Sequence, residues 1–145
     1  MLGNLARWLL LMGFDAAYAG AKGETDAELL RWASREGRVF RTMDRSIPPV
    51  RGLRQIVISE KALDQQLKRV FRELRLKPNL SRLFSRCTFC NAPLDPMSRE
   101  EALPLVPPLV RKIQTEFYRC PACRRVYWRG THTTRTIEKL KRWGF

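Results

Sequence analysis

The chain has 145 residues, 44% of them hydrophobic, which is enough for one ordinary domain or two small ones and excludes a disordered protein. A net charge of +14, from 28 Lys and Arg against 14 Asp and Glu, favours RNA or DNA as the partner, although the charge could serve solubility alone. The apolar run at residues 8–12 is closely flanked by Arg7 and Asp15 and has no cleavage site, which excludes a signal peptide or membrane span and predicts a cytoplasmic protein.

Two helices and two strands are predicted in the first part of the chain. Apolar residues at helical spacing predict a helix that ends at Gly13, and residues 14–18 follow as a short strand. A capping box at residues 25–28 begins a second helix, and residues 38–43 form the next strand. Strand, helix and strand of these lengths predict a βαβ unit with parallel strands and a right-handed crossover.

The next segment completes a first domain. Residues 55–58 form a short apolar strand, and the amphipathic pattern of residues 60–76 predicts a long helix whose basic side chains lie outside. A Lys-Pro-Asn sequence at residues 77–79 then ends the helix. The sequence therefore predicts an α/β domain with a small parallel sheet over residues 1–80 and a second domain over residues 81–145.

The second domain contains all four cysteines, arranged as two CxxC pairs: Cys87, Cys90, Cys120 and Cys123. The spacing lets both thiolates of a pair turn toward one point, and two such knuckles complete a tetrahedral Zn²⁺ shell with no open position. A zinc ion held in this way is structural and not catalytic. The alternatives are two disulfides or four unrelated buried thiols, and a reducing cytosol disfavours the disulfides.

The rest of the second domain surrounds these knuckles. Residues 116–119 and 125–128 are predicted to form a hairpin that the second knuckle joins, and a basic helix is predicted over residues 133–143. A proline-rich insertion separates the two knuckles. The pattern indicates a zinc ribbon with four cysteine ligands and a C-terminal basic helix.

Two acidic residues are candidates for a catalytic metal site. Asp44 follows the strand at residues 38–43, and Asp26 lies in the first turn of the preceding helix, so both should face the crevice at the carboxyl end of the parallel sheet. Carboxylates in such a crevice can hold Mg²⁺ or Mn²⁺ for phosphodiester hydrolysis. Alternatively, Asp26 only stabilises its helix and Asp44 is a surface acid. Glu24 and Glu28 are further possible ligands, although Glu28 is needed for its cap.

Two other features leave functional and structural interpretations open. His132 could lie near the zinc site, touch a phosphate or have only a surface role. Aromatic residues flanked by arginines in the ribbon strands are typical of single-stranded nucleic acid binding, but they could equally pack on the final helix. The aromatic residues are Tyr118, Tyr127 and Trp128, and the arginines are Arg119, Arg124, Arg125 and Arg129.

Several motifs taken together resemble one family. They are Leu-Gly-Asn-Leu-Ala-Arg-Trp-Leu at residues 2–9, Thr-Asp-Ala-Glu-Leu-Leu at residues 25–30, and Gly-Arg-Val at residues 37–39 leading to Thr-Met-Asp-Arg at residues 42–45. These motifs resemble the PIN-like RNase domain found at the carboxyl end of Mut-seven-type exonucleases and as small stand-alone prokaryotic proteins. The paired knuckles resemble that family's zinc ribbon, so the likeness covers nearly the whole chain.

The resemblance implies a PIN-like α/β domain that cuts RNA with acidic residues and a divalent metal, Mg²⁺ or Mn²⁺. The acids carried over by position are Asp26 and Asp44. In the family, an apolar strand that ends in an acid precedes the first helix, whereas here Met1 is the first residue, so the first strand and its Asp are missing. A chain extended upstream by such a strand is expected to be more stable and more active.

The sequence therefore predicts a metal-dependent ribonuclease whose N-terminally short form has little or no activity. The alternative is a non-catalytic RNA-binding or ribosome-associated zinc-ribbon module in which the acids are vestigial. A third interpretation makes the ribbon a platform for protein interaction. RNA is the expected partner, and a membrane is not.

Overall fold

The computed structural model describes residues 2–18 and 23–145. Contacts within the chain divide it into two compact units. The first unit contains Met1–Leu9 and Ala16–Lys77, and the second contains Leu10–Asp15 and Pro78–Phe145. In the described ranges no helix is both long enough and apolar enough to cross a membrane.

The first unit combines helices with a two-stranded parallel sheet. Its elements are α1 (Leu2–Leu11), whose last residues belong to the second unit, α2 (Asp26–Arg35), β1 (Phe40–Thr42), β2 (Gln55–Val57) and α3 (Leu63–Leu74). Strand β1 pairs with β2 so that Phe40 lies opposite Gln55 and Thr42 opposite Val57. The predicted α/β fold with a small parallel sheet is therefore confirmed.

Apolar stripes on α1 and α3 supply much of the buried surface of this unit. Leu5 and Leu9 of α1 are each 1% exposed, and Leu67 and Val70 of α3 are fully buried. Burying a Leu or Val side chain contributes about 1.5–3 kcal/mol. The helical spacing in the sequence therefore identified the faces that hold these helices in place.

A capping box begins α2, as the sequence predicted. The Glu28 backbone N–H donates to the Thr25 hydroxyl at 3.3 Å, and the Thr25 N–H donates to the Glu28 carboxylate at 2.8 Å. The backbone N–H groups of Thr25 and Glu28 are thereby hydrogen-bonded to side chains and do not need water as a partner. The cap fixes where α2 begins and so where Asp26, its first residue, lies.

The strand predicted at residues 14–18 is not formed, and that prediction is wrong. Phe14 and Asp15 belong to the second unit. The Asn91 amide donates to the Asp15 carboxylate at 2.8 Å. The Arg82 guanidinium lies 5.9 Å from the centre of the Phe14 ring. The predicted βαβ unit is therefore also wrong. The connection between the two parallel strands runs instead through residues 43–54, which contain no helix.

The second unit is built on a three-stranded antiparallel sheet in the order β3-β4-β5. Its elements are β3 (Asp95–Met97), α4 (Arg99–Ala102), α5 (Pro108–Ile113), β4 (Phe117–Arg119), β5 (Val126–Trp128) and α6 (Thr131–Trp143), with 3₁₀ turns at Leu80–Arg82 and Leu103–Leu105. The predicted hairpin corresponds to β4 and β5. Strand β3 was not predicted because Pro96 lies within it, and proline is tolerated there because β3 is at the sheet edge.

A small apolar core lies between this sheet and the insertion that separates the knuckles. Ala102, Val106 and Phe117 are buried together, and Trp128 packs against them. The insertion that the sequence showed only as proline-rich thus supplies the core of the sheet. Trp128 thus has a packing role in this core, and the predicted packing of the hairpin aromatics on the final helix stays a prediction.

Candidate metal centre

The two knuckles adopt the same turn. In the first, the Cys87 N–H donates to the Ala92 carbonyl at 2.8 Å, and the Asn91 N–H donates to the Cys87 carbonyl at 2.9 Å. The second knuckle repeats these two bonds around Cys120 at 2.9 and 3.0 Å. Each turn therefore holds its two cysteines in place through backbone hydrogen bonds.

One residue of each knuckle has a left-handed backbone conformation. It is Asn91 in the first turn, with φ 70°, and Arg124 in the second, with φ 64°. Asparagine tolerates this region, whereas a left-handed arginine carries a cost of about 1 kcal/mol. The hydrogen bonds of the second knuckle, together with the cluster of four sulfurs that this knuckle helps to form, must offset that conformational cost.

The four cysteine sulfurs converge on one point. All four Sγ atoms lie within 4.8 Å of one another, with Cys87 and Cys123 3.6 Å apart and Cys90 and Cys120 3.3 Å apart. Tetrahedral Zn²⁺ with Zn–S bonds of about 2.3 Å requires sulfurs about 3.8 Å apart. None of the four forms a disulfide. The cysteines are therefore positioned to form a zinc-binding site, and the disulfide alternative is wrong.

Hydrogen bonds to sulfur surround this site. The Cys90 N–H lies 3.5 Å from the Cys87 sulfur, and the Cys123 N–H lies 3.4 Å from the Cys120 sulfur. The Tyr127 hydroxyl, from β5, donates to the Cys87 sulfur at 3.0 Å. Such outer partners orient metal ligands and favour their charged form. Tyr127 thus belongs to the metal centre.

These surroundings give the thiols different acidities in the metal-free protein. Burial opposes ionisation of Cys87, but hydrogen bonds from Tyr127 and from backbone N–H groups outweigh it and lower the pKa of Cys87 to about 6. A backbone hydrogen bond from Ala92 favours the Cys90 thiolate, yet desolvation and the neighbouring thiols outweigh it and raise the pKa of Cys90 to about 12. Because zinc binds thiolates, metal binding must release protons.

The two predicted catalytic acids are exposed at the surface of the first unit. Asp26 is the first residue of α2, and Asp44 lies two residues beyond β1. The Ser46 hydroxyl and backbone N–H each donate to the Asp44 carboxylate at 2.7 Å, and these bonds lower the pKa of Asp44. Within the described residues, the cysteines are the only group of three or more side chains placed to share a metal. The role of the two aspartates stays a prediction.

Glu24 has an orphaned oxygen beside this region. Its Oε2 is buried and has no hydrogen-bond partner among the described residues. Glu28, the other possible ligand, is occupied by its cap, and hydrogen bonds from the Thr25 backbone and side chain lower the pKa of Glu28. A buried carboxylate oxygen without a partner is costly unless a cation or donor reaches it. Glu24 is therefore not engaged in a helix cap as Glu28 is, but it does not form a group of three metal-ligating side chains with Asp26 and Asp44.

The histidine and the aromatic residues that remain as candidates lie in different surroundings. His132 is exposed in the first turn of α6 and is not part of the sulfur cluster. Of the predicted RNA-binding aromatics, Tyr127 contacts Cys87 and Trp128 packs in the core. An aromatic residue that the sequence did not single out, Phe89, is 67% exposed in the first knuckle. The sequence feature that could have identified Phe89 is its position between two cysteines that are candidate metal ligands.

Comparison with known proteins identifies one family. The Mut7-C RNAse domain family matches residues 1–140, which is nearly the whole chain and includes both CxxC pairs. No curated protein and no solved structure matches the chain significantly.

Proposed function

The chain belongs to the Mut7-C RNAse domain family, and on that premise we propose that it is a metal-dependent ribonuclease that hydrolyses phosphodiester bonds in RNA. The single observation that carries this proposal is the family match over residues 1–140. The net charge of +14 supports it, because a strongly basic protein attracts the phosphate backbone.

We assign the catalytic metal, Mg²⁺ or Mn²⁺, to Asp26 and Asp44, because one or two carboxylates together with the phosphate of the substrate can hold such a cation. The lowered pKa of Asp44 keeps its carboxylate charged at and well below neutral pH. Bound there, the cation would neutralise phosphate charge and lower the pKa of an attacking water. The two carboxylates would hold and orient the cation.

We assign the four cysteines to one structural zinc ion. Four thiolates fill a tetrahedral shell and leave no position for water or phosphate, so this site does not hydrolyse RNA. Its role in the proposal is to hold the two knuckles together in the second unit.

A second candidate function is a non-catalytic RNA-binding module. The observation that favours it is the exposure of Asp26 and Asp44, neither of which belongs to a group of three metal-ligating side chains in the described residues. In that case the basic surface binds RNA and the acids take no part.

Cleavage of end-labelled single-stranded RNA with added Mg²⁺ or Mn²⁺ separates these two functions. We expect Asp44→Asn to reduce the cleavage rate at least 100-fold while RNA affinity stays equal or rises, since a negative charge near the phosphates is removed. Asp95→Asn is the matched control, because Asp95 is an exposed aspartate on β3 of the other unit. RNA binding without turnover, both by this chain and by a version extended upstream with an apolar strand that ends in Asp, supports the second candidate. Cleavage that Asp44→Asn leaves intact shows that the active site lies elsewhere.

A further inference from the structure

Phe89 is an exposed aromatic ring on a firmly held turn. It lies between the two cysteines of the first knuckle, and 67% of the residue is exposed. The backbone bonds of that knuckle and the convergence of its sulfurs fix the chain on either side. A single exposed apolar residue is common on protein surfaces, so its surroundings decide whether the ring has a role.

One face of the Phe89 ring is covered by a cation from the second knuckle. The Arg125 guanidinium lies 3.7 Å from the ring centre, which is a close cation–π stack. The Arg125 carbonyl accepts the backbone bond of Cys120, so the backbone of the arginine is held as firmly as that of the ring. The two knuckles therefore present a flat aromatic–guanidinium pair, both of whose residues are exposed.

The charge around this pair favours an anionic partner. Residues 81–94 and 117–129 contain six arginines and no Asp or Glu, and the adjoining acids are Asp95 and Glu116. Asp15 does contact the first knuckle, through its hydrogen bond from Asn91. Even so, no ion pair within 4.0 Å among the described residues involves Arg124 or Arg125. The Arg125 guanidinium that stacks on Phe89 is thus not neutralised by an ion pair and can interact with phosphate.

We propose that the Phe89–Arg125 pair is a stacking site for an unpaired base of single-stranded RNA. The base lies against the open surface of the pair, and Arg124 contacts an adjacent phosphate. Stacking suits every base because every base has a π face, so the site selects single strands and not a sequence. The choice of RNA over DNA rests on the proposed function, whereas the stacking itself does not require cleavage.

A protein partner fits this patch less well. The other exposed large apolar residues of the second unit, Leu80, Leu105, Leu109 and Ile113, lie outside the two knuckles. A docking face for a protein has an apolar centre, whereas Phe89 stands alone among cations. Isolated aromatic rings interleaved with arginine are typical of single-strand binding.

Binding of fluorescein-labelled single-stranded RNA, in buffer without added Mg²⁺ or Mn²⁺, tests the proposal by anisotropy. We expect Phe89→Ala to weaken binding by about 5-fold or more and Phe89→Trp to retain it, because indole also stacks. Affinity for duplex RNA should change little, since its base faces are covered. Leu109→Ala is the matched control, because Leu109 is also 67% exposed in the same unit.

A second measurement on the wild-type protein removes any dependence on folding of the variants. RNA that carries 2-aminopurine should lose fluorescence on binding if that base stacks on the Phe89–Arg125 pair. Equal single-strand affinity of the Phe89→Ala and Leu109→Ala proteins, or no quenching at any position of the probe, overturns the proposal and favours a protein partner. If the wild-type protein stacks the probe base but does not cleave RNA, the proposed ribonuclease activity is wrong and the stacking site is still supported.

Discussion

The Tyr127 hydroxyl oxygen lies 3.0 Å from the sulfur of Cys87. This hydrogen bond ties strand β5 of the ribbon to a cysteine in the first knuckle, 40 residues earlier in the chain. Cys87 is completely buried, so its thiolate needs such donors to replace water. In return, burial and the neighbouring Cys87 raise the pKa of Tyr127 to about 12, which keeps the hydroxyl protonated as a donor.

We expect Tyr127→Phe to weaken zinc binding by about 10-fold, because outer partners of metal ligands typically contribute 10- to 100-fold in affinity. Competition with a chromophoric zinc chelator measures the change. Tyr118→Phe is the control, because Tyr118 lies directly opposite Tyr127 in the β4–β5 register. Equal zinc affinity of the two variants would show that the bond to Cys87 is not important for the metal.

Acid should release zinc from the Tyr127→Phe protein at a higher pH than from the wild type. The hydrogen bond from Tyr127 is one of those that lower the pKa of Cys87 to about 6, and without it the thiol competes for protons at higher pH. Zinc affinity falls as pH falls because thiolates are protonated. Titration with a zinc-sensitive dye locates both midpoints, and a midpoint unchanged or lowered in the variant contradicts the assignment.

The purified protein should contain about one equivalent of zinc, since four thiolates complete one tetrahedral shell. Cys120→Ser should remove most of the metal and loosen the second unit more than the first. Elemental analysis and amide hydrogen exchange measure these two effects. Iron in place of zinc, or no metal in the wild type, would be evidence against the site.

Thr25→Ala should cost about 1 kcal/mol of stability, because it removes the N-cap of α2. The Glu28 carboxylate adds a pH dependence. Its pKa is lowered in the folded protein, so its contribution is present above the unfolded pKa of about 4.3 and is lost as pH falls through the folded pKa. Urea unfolding should therefore separate Glu28→Gln from the wild type at pH 7 but not at pH 2. A difference that grows at low pH contradicts this role.

Short-range features of the fold were predictable because their causes lie within a few residues. The capping box at Thr25 and the turns that hold the CxxC pairs are set by local hydrogen bonds, and both are found as predicted. Residues 14–18 have an apolar pattern that suits a strand, but whether a strand forms depends on a neighbour. There, the Asn91 side chain and not another strand bonds Asp15, and the sequence contains no local sign of that pairing.

The candidate site shows the same limit. The spacing of the cysteines predicted their convergence, whereas the sequence left the roles of the aromatic side chains around them open and did not indicate the bond between Tyr127 and Cys87. Tyr127 and Phe89 differ in exposure and partner, and a sequence gives neither. The acids could not be assigned in the way the cysteines were, because carboxylates outside a fixed spacing can be either ligands or surface groups.

The last prediction concerns Gly13, which follows α1 with its N–H bonded to the Leu10 carbonyl at 2.9 Å. Its φ is +81°, and a Cβ at this position would lie 2.3 Å from the Arg82 carbonyl oxygen. Gly52 has nearly the same φ, +80°, but no atom of the described residues lies within 4 Å of its Cβ position. Both glycines therefore need a left-handed backbone, but only at Gly13 would a Cβ clash with a neighbouring residue.

Gly52→Ala should cost only the left-handed strain, about 1 kcal/mol. Gly13→Ala should cost that amount and about 1–3 kcal/mol more, because a backbone oxygen cannot move aside as a flexible side chain can. Guanidinium unfolding of both variants measures the difference, and the excess for Gly13 reports the packing of this turn against Arg82 within the second unit. Equal destabilisation would mean that the backbone at Arg82 yields freely, and the close approach would then contribute nothing to holding residues 10–15 in that unit.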